Sequence, residues 1–528
     1  MSKSDSDGDT EKQNIDVNVE SIDELHPILS TVVSLNGKVI HVHDDDADMA
    51  MKYIDDINNF ELDPAYEKKL LRKIDWHILP IIVALMSCQL MDKTTNSYAS
   101  IMGMRQELNM SAKEYSWVGS SFYFGYLVFQ YPANRLLQRF PLSKTLSTAV
   151  IIWGIILMCH AACTNSAGFL TCRVLLGIFE GFMNPSYILL TSQWWRKSEQ
   201  FMRTCIWWGM QGFGTILGAG IAYGLQVHRG GHHEFASWKC VYIITGCITI
   251  FLGIISLVHV PDVPTKAWFL NEKDKLYVLE RAKENQQGFG NQKFKMSQLK
   301  EAILDPCTYA FFFYGMSYAI PNGGFTNFGS ILLNGDFGFS TADALLMNMP
   351  GGGIDIIIPP MVALINYYCF NNQRLISMII VNSIVVVGMC LLNFTHHKGS
   401  RLTGYLSFYI ATAVSAGVCS TISSNVAGNT KKIVVNMFYL VGYCTGNIIG
   451  PQTFNANQAP GYSGAKAAML VSFAAGTIIV MYLYGLYKWR NIKKDKMVAE
   501  LGEKYKVPDN IAFADLTDIE NPEFRYSL

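Results

Sequence analysis

Twelve apolar stretches, each close to twenty residues long, fill most of the chain between residues 76 and 487. The hydrocarbon core of a bilayer is about 30 Å thick, and about twenty apolar residues in a helix span it. Because lipid offers no partner to backbone N–H and C=O groups, each stretch is predicted to be a helix. Only 16% of the residues are charged, against about 25% in soluble domains, so a soluble enzyme is excluded. The chain also contains no catalytic motif.

The predicted spans form two groups of six separated by a charged connector. The first group is 76–98, 115–137, 145–163, 168–190, 204–227 and 240–260. The second group is 307–333, 344–368, 375–394, 402–425, 433–453 and 466–487. Glycines recur in spans 5 and 11, which are equivalent helices if the chain is a duplication. We therefore predict an all-α membrane protein with 12 transmembrane helices in two six-helix halves related by pseudo-two-fold symmetry.

The same pattern divides the chain into five regions. Residues 1–66 are predicted to be an acidic and mostly disordered tail, since residues 1–63 carry 16 acidic and 4 basic side chains. Residues 67–260 form the first six-helix bundle, 261–306 the connector, 307–490 the second bundle and 491–528 a C-terminal tail.

Lys and Arg in the short loops predict the orientation, because positively charged loops stay cytoplasmic. Most of them fall on one side of the twelve-span count, which places both termini and the connector in the cytoplasm. The residues in these short loops are Lys68, Lys69, Arg72, Lys73, Arg135, Arg139, Lys144, Arg196, Lys197, Arg203, Lys431 and Lys432. Two N-glycosylation acceptors, Asn109 and Asn393, fall on the opposite, external side.

Ionisable side chains inside the spans are candidates for function, since each costs several kcal/mol in hydrocarbon unless it is paired or faces water. Arg173 and Glu180 are seven residues apart and share a helix face. Arg173 is predicted to bind a carboxylate, and Glu180 or Asp92 to carry a proton. The alternative is that these groups are structural ion pairs within the bundle. Asp355, a third proton-coupling candidate, either lines a cavity or caps a helix.

Neutral polar residues extend this candidate site. Spans 7 and 8 are predicted to be interrupted at residues 321–324 and 350–353, where transporters often bind cargo. Asn322, Asn327, Gln211 and Asn425 are predicted to orient cargo by hydrogen bonding, or alternatively to hold helices together.

No cofactor or metal site is expected. The twelve cysteines lie almost entirely in apolar stretches and are interpreted as small packing residues. The histidines at 228, 232 and 233 lie in an external loop without a completing Cys or carboxylate, so we interpret them as solvated.

An ordered set of motifs resembles the fungal allantoate permease family, the anion:cation symporters of the major facilitator superfamily. The resemblance runs from about Leu70 to the C-terminus. Its motifs are Leu90-Met91-Asp92-Lys93, Arg173-Val174-Leu175-Leu176-Gly177-Ile178-Phe179-Glu180, Asn184-Pro185, Trp194-Trp195, Ser198-Glu199-Gln200, Asn322-Gly323, Gly446-Asn447-Ile448-Ile449-Gly450-Pro451-Gln452 and Asp515-Leu516-Thr517-Asp518-Ile519-Glu520-Asn521. Residues 141–144, 153–163 and 267–270 look most similar to the thiamine-regulated carboxylic acid permease branch. Asn134-Arg135 departs from the superfamily's usual acidic–basic pair.

This resemblance implies a major facilitator fold and proton-coupled import of a small organic anion, a carboxylate or a sulfur-containing nutrient, across the plasma membrane. An endomembrane location stays open. We expect protons, the anion and lipid as partners, no nucleic acid, and a monomer. Two other functions are compatible with the residues: a nutrient receptor of the same fold that does not transport, and a carrier of neutral or cationic solutes.

Overall fold

The computed structural model describes residues 28–33, 39–43, 64–229, 236–283, 294–371, 373–501 and 515–528. Helices account for nearly all of these residues beyond position 63. The first half comprises α1 (Pro64–Ile101), α2 (Met104–Glu107), α3 (Ala112–Arg139), α4 (Leu142–Cys159), α5 (Ser166–Glu180), α6 (Met183–Trp194), α7 (Lys197–Gly209), α8 (Gln211–Arg229) and α9 (Ser237–His259). The connector contributes α10 (Glu272–Lys283) and α11 (Met296–Leu304).

The second half repeats this organisation. It comprises α12 (Pro306–Gly335), α13 (Thr341–Leu346), α14 (Met349–Cys369), α15 (Arg374–Phe394), α16 (Lys398–Ser407), α17 (Ala411–Asn425), α18 (Asn429–Gln452) and α19 (Ser463–Leu501). Short 3-10 turns occur at His160–Ala162, Pro264–Lys266, Phe408–Ile410 and Ala456–Gln458.

Two short strands lie within the tail that composition predicts to be mostly disordered. Strands β1 (Ile28–Val33) and β2 (Val39–His43) pair antiparallel, with Val33 opposite Val39. Both are rich in β-branched residues, which favour a pleated strand. The prediction used the acidic composition of the whole tail, which does not show these two short β-branched segments.

Local sequence signals explain where the long helices begin. Ser111 caps α3 by accepting a hydrogen bond from the Glu114 backbone N–H, while the Glu114 carboxylate accepts from the Ser111 backbone N–H in return. Asp305 caps α12 by accepting from the backbone N–H of Cys307 at 3.0 Å. Side-chain caps of this kind satisfy N–H groups that a first helical turn leaves without partners.

Nine helical segments in the described part of the chain are long and apolar enough to cross a bilayer. They are Ala65–Ile101, Leu142–Ala162, Ser166–Trp194, Ser237–His259, Thr341–Cys369, Arg374–Phe394, Lys398–Asn425, Asn429–Gln452 and Ser463–Glu500. The other three predicted spans are also helical, in α3, in α7 with α8, and in α12. At 1.5 Å per residue, the 28 residues of α3 reach about 42 Å. Serine, glycine and amide side chains lower the hydropathy of these helices. Twelve spans are consistent with this fold, and the all-α prediction is confirmed.

The predicted interruption of span 7 is wrong. Helix α12 continues through Pro321 and the glycines that follow it. A helix in hydrocarbon has no other partner for its backbone, so one missing proline N–H does not end it. In span 8 the break falls earlier than predicted, at the turn between α13 and α14, and Pro350 lies in the first turn of α14.

Among the described residues, five helix pairs form most of the contact between the halves: α3 with α18, α7 with α17, α8 with α14, α7 with α14, and α1 with α12. Near the predicted external side, the Tyr115 hydroxyl donates to the Asn327 carbonyl at 2.8 Å. Deeper in the molecule, a Cβ on Gly212 would lie 2.1 Å from the Gly352 carbonyl oxygen, so α8 and α14 touch backbone to backbone. This close approach requires glycine.

The connector is shared between the halves. Helix α10 docks on the first half, where Arg281 forms ion pairs with Glu67 and Glu199 and the Lys73 Nζ lies 2.7 Å from Asp274 Oδ2. Both faces of this contact belong to the side predicted to be cytoplasmic.

Helix α11 belongs to the second half, together with the chain terminus. Residues 515–528 pack against α11, α18 and α19, and we call this set of contacts the terminal clasp. At its centre, Lys431 Nζ lies 2.8 Å from Glu301, 3.1 Å from Asp305 and 2.8 Å from Asp518. Lys494 donates to the three backbone carbonyls of Asp518, Asn521 and Phe524. Burial alone would raise the pKa of Asp305, but Lys431 and Arg490 lower it to about 2.

Candidate functional site

A small cavity lies between the two halves at mid-membrane. Its volume is about 30 Å³ in this conformation, enough for one or two waters. Most of its lining side chains carry a hydroxyl, an amide or a ring. They are Leu90, Thr94, Ser97, Tyr98, Gln211, Thr215, Tyr318, Asn322, Phe325, Thr326, Asn348, Asp355, Phe408, Tyr409 and Thr412. Three residues predicted from the sequence, Gln211, Asn322 and Asp355, therefore meet at one cavity.

Asp355 is the carboxylate in this lining. It is 3% exposed and accepts a hydrogen bond from Thr412 Oγ1 at 2.6 Å. Asp355 lies in the second turn of α14 rather than at its cap, and no Lys, Arg or His of the described residues lies within 4.0 Å of its oxygens. The cavity wall thus presents a carboxyl group to whatever fills the space.

Asn322 connects the cavity to a layer of aromatic rings. The Tyr443 hydroxyl of α18 donates to Asn322 Oδ1 at 3.2 Å, and the Tyr443 ring stacks on Tyr318 with centroids 6.4 Å apart. The Tyr443 hydroxyl also acts electrostatically on Lys93 of the first half. Tyr443 therefore links the cavity lining of the second half to a cation of the first.

Lys93 forms a buried ion pair with Glu180. Lys93 Nζ lies 2.5 Å from Glu180 Oε1, with the two side chains 11% and 0% exposed. The ammonium also lies over the Phe122 ring, 5.5 Å from its centroid. Lys93 does not itself line the cavity, but it lies on the same helix as Leu90 and Thr94, which do.

Sequence reasoning did not assign Lys93 a role. The signal was present, since Lys93 lies deep within a predicted span. Asp92 is the nearest carboxylate to Lys93 in the sequence, but adjacent residues on a helix do not face each other.

Asp92 lies behind this pair. It is fully buried, and neither carboxylate oxygen has a hydrogen-bond partner within the described chain. The charges of Glu180, Arg173 and Lys93 act on it. Asp92 and Glu180 therefore form two carboxylates in one electrostatic cluster of α1 and α5.

Arg173 is buried inside the first half and does not line the cavity. Its Nη2 donates to Asn96 Oδ1 and, at 2.9 Å, to the Tyr242 hydroxyl. Tyr242 completes a triangle by donating to Asn96 at 2.7 Å. The structure therefore places Arg173 in a network joining α1, α5 and α9, about two turns along α5 from Glu180.

Two predicted cargo ligands also lie elsewhere. Asn327 donates to the Gly323 carbonyl of its own helix at 2.9 Å and packs against Gly119. Asn425 exchanges hydrogen bonds with the backbone of Ser527 at 2.8 and 2.9 Å, which anchors the terminal clasp. Neither amide lines the cavity in this conformation.

The two glycosylation candidates differ in geometry. Asn109 is exposed in the turn before α3. Asn393 lies in the last turn of α15, and its Nδ2 donates to the carbonyls of Met389 and Lys466 at 2.8 and 3.2 Å. The folded chain presents only the first of these two amides to solvent.

Buried polar atoms without a hydrogen-bond partner in the described chain concentrate in the first half. They include side-chain atoms of Gln89, Asp92, Tyr123, Tyr126, Trp153 and Asn184. Buried polar groups in native proteins are nearly always satisfied, and exceptions mark functional sites or bound water. No group of three or more His, Cys, Asp or Glu in the described residues could hold a metal ion. His232 and His233 lie outside those residues.

Comparison with known proteins supports this arrangement. The sequence pattern of the Major Facilitator Superfamily matches residues 81–451. The allantoate permease of Saccharomyces cerevisiae is 40% identical over 530 residues, covering 98% of this chain and 96% of the permease. The thiamine pathway transporter of the same yeast is 32% identical, covering 91% of this chain and 94% of that protein. Of these two, the allantoate permease is the more similar, whereas the motifs favoured the thiamine-regulated branch.

Solved structures show the same fold. The proton:xylose symporter superposes with a TM-score of 0.61 at 14% identity, over 79% of this chain and 96% of the symporter. The Escherichia coli fucose:proton symporter gives a TM-score of 0.54 at 14% identity, over 77% of this chain and 98% of the other.

Proposed function

Because the chain belongs to the major facilitator superfamily of membrane transporters and to its allantoate permease family, we propose that it is a proton-coupled symporter of a small organic anion. The Lys93–Glu180 ion pair carries this proposal. It places a cation on α1, the helix that contributes Leu90 and Thr94 to the cavity, and a titratable carboxylate is its only partner among the described ion pairs.

The coupling follows from competition for one ammonium group. An arriving carboxylate binds Lys93 and displaces Glu180, which is then a buried anion without a counter-ion. Such a group costs several kcal/mol in a protein interior and is stabilised by taking up a proton. Anion binding and protonation therefore favour each other, and both are released when Glu180 returns to Lys93.

Asp92 gives the proton a second acceptor on its way to Glu180. The two carboxylates are buried in one cluster and repel each other when both are ionised, so one of them is favoured to hold a proton. Arg173 is then a positioning residue, which holds α1, α5 and α9 together around the pair.

The charge balance sets the driving force. One proton moving with a monoanion transfers no net charge, so uptake depends on the pH gradient. Each additional proton would add about 2.3 kcal/mol per 100 mV of membrane potential. Alternating access arises as the halves rock about the cavity.

The cavity lining indicates the kind of anion. Hydroxyls and amides from both halves surround it, so the cargo should carry several hydrogen-bonding groups besides its carboxylate. A relative 40% identical over nearly the whole chain is named for allantoate, which has both features. We place the protein in the plasma membrane with both termini in the cytoplasm, as a monomer.

Reconstituted protein tests the proposal directly. Proteoliposomes with an acidic exterior should accumulate labelled allantoate, and a protonophore should abolish the accumulation. Liposomes without protein control for leak. A panel of other labelled organic acids tests whether the cargo is an acid other than allantoate. Accumulation of the transported acid that is unchanged by the protonophore would contradict proton coupling.

Asp355 supports a second candidate, a carrier of cationic solutes. Its carboxylate lines the cavity, whereas the Lys93 charge is neutralised by Glu180. A saturable inward current on adding an organic cation such as ethanolamine, lost in Asp355→Asn, would favour this function over anion symport. No current, together with anion uptake, would exclude it.

A further inference from the structure

Arg374 is a buried cation that the proposed transport site does not use. It is the first residue of α15, on the side predicted to be cytoplasmic, and is 4% exposed. Its Nη1 donates to Ser420 Oγ at 2.8 Å and to the Ser420 carbonyl at 3.3 Å. The hydrogen bonds of the described residues use neither Nε nor Nη2.

The structure shows no carboxylate beside this charge among the residues that it describes. None of their Asp and Glu oxygens lies within 4.0 Å of Arg374, whereas Arg490 pairs with Asp305. A buried cation without a counter-ion is costly, and proteins normally pair it.

Arg374 is joined to the contact between the halves through Ser420. Its hydrogen-bond partner Ser420 belongs to α17, and α17 packs against α7 of the first half. A movement that separates α7 from α17 therefore changes the surroundings of Arg374.

We propose that Arg374 forms an anion site for a small carboxylate, on the cytoplasmic side of the cavity. The Nε–H and one Nη2–H of a guanidinium point in parallel, which matches the two oxygens of a carboxylate better than a spherical halide ion. Ser420 fixes the opposite edge of the guanidinium through Nη1 and so leaves this edge for the ligand.

The anion could be the carboxylate of the cargo leaving for the cytoplasm or a carboxylate already present in the cytoplasm. Its identification as cargo rests on the proposed symport function, while the existence of the site does not. A binding measurement without a proton gradient therefore separates failure of this site from failure of symport.

The experiment uses the purified full chain in detergent and records Tm while sodium acetate replaces sodium methanesulfonate at constant ionic strength. We expect Tm to rise with acetate and to saturate. The rise should persist in Lys93→Gln, which removes the other proposed anion site, and in Arg525→Gln, a surface control whose ion pair is exposed. It should be smaller in Arg374→Gln and absent when Lys93→Gln is added to that variant.

A second variant keeps the test decisive if Arg374→Gln does not fold. Arg374→Lys retains the charge but not the parallel donors, so half-saturation by acetate should need at least ten-fold more acetate. No rise in the native chain, or an equal rise in Arg374→Gln, would overturn the site. An equal rise with sodium chloride would overturn the carboxylate assignment. Binding of labelled cargo identifies the source of the carboxylate. If this binding falls in Arg374→Gln but not in Arg525→Gln, the carboxylate that occupies the site is that of the cargo.

Discussion

The two halves of this transporter place their charges differently. In the first half, Asp92, Lys93, Arg173 and Glu180 lie at membrane depth and interact with one another or with neutral polar groups. In the described part of the second half, membrane depth holds Asp355, and the larger ionic cluster is the terminal clasp at one end. The first half thus concentrates its charges at membrane depth, whereas the second gathers most of its charges at one end of its bundle.

Removing the cation of the first half should have the largest effect on stability. Lys93→Gln leaves Glu180 as a buried carboxylate without its partner, which should lower the free energy of unfolding by about 3–5 kcal/mol. Thermal unfolding in detergent measures the loss. The double variant Lys93→Gln with Glu180→Gln should recover most of it without recovering uptake. Equal stability of the single and double variants would show that the pair is not coupled.

Arg173→Lys distinguishes a positioning residue from a cargo ligand. A lysine keeps the charge but cannot reproduce the planar contacts with Asn96 and Tyr242, so we expect a loss of about 1–3 kcal/mol in stability. The KM for the anion should change less than two-fold. A ten-fold rise in KM with unchanged stability would return Arg173 to the cargo site.

Asp355→Asn probes the cavity wall of the second half. Asparagine can still accept the hydrogen bond from Thr412, so stability should change by less than about 0.5 kcal/mol. If Asp355 accepts a hydrogen bond from the cargo, KM should rise about ten-fold, equivalent to about 1.4 kcal/mol. Thr412→Val is the matched control for loss of the local hydrogen bond. An unchanged KM in Asp355→Asn would remove Asp355 from the binding site.

The terminal clasp should respond least to a single change. Asp518→Asn weakens the contact with Lys431, which keeps Glu301 and Asp305, so we expect a loss of about 1 kcal/mol. Hydrogen exchange at residues 515–528 measures it. Because the pKa of Asp305 is lowered to about 2, its contribution is present above its unfolded pKa of about 3.9 and fades below that. Asp305 should therefore stabilise the clasp equally at pH 5 and pH 7, so Asp305→Asn should reduce the protection of these amides by the same factor at both values, and unequal factors would contradict this account.

The sequence predicted those features that depend on the properties of individual segments and side chains. Apolar length predicted the helices, and the cost of charge in lipid identified Glu180, Asp92 and Asp355 as buried groups. Which side chains form pairs depends on how helices that are distant in the sequence pack together. The spacing of residues does not predict that packing. Lys93 therefore pairs with Glu180 from α5 rather than with adjacent Asp92, and Asn425 binds Ser527 from the far end of the chain.

Proton coupling through Glu180 is the central claim, and Glu180→Gln tests it most directly. In proteoliposomes, this variant should exchange labelled cargo across the membrane at equal pH, since an amide mimics the protonated side chain. It should lose accumulation driven by an imposed pH gradient. Exchange that persists without accumulation would agree with the account. Accumulation at the native level in Glu180→Gln would contradict it.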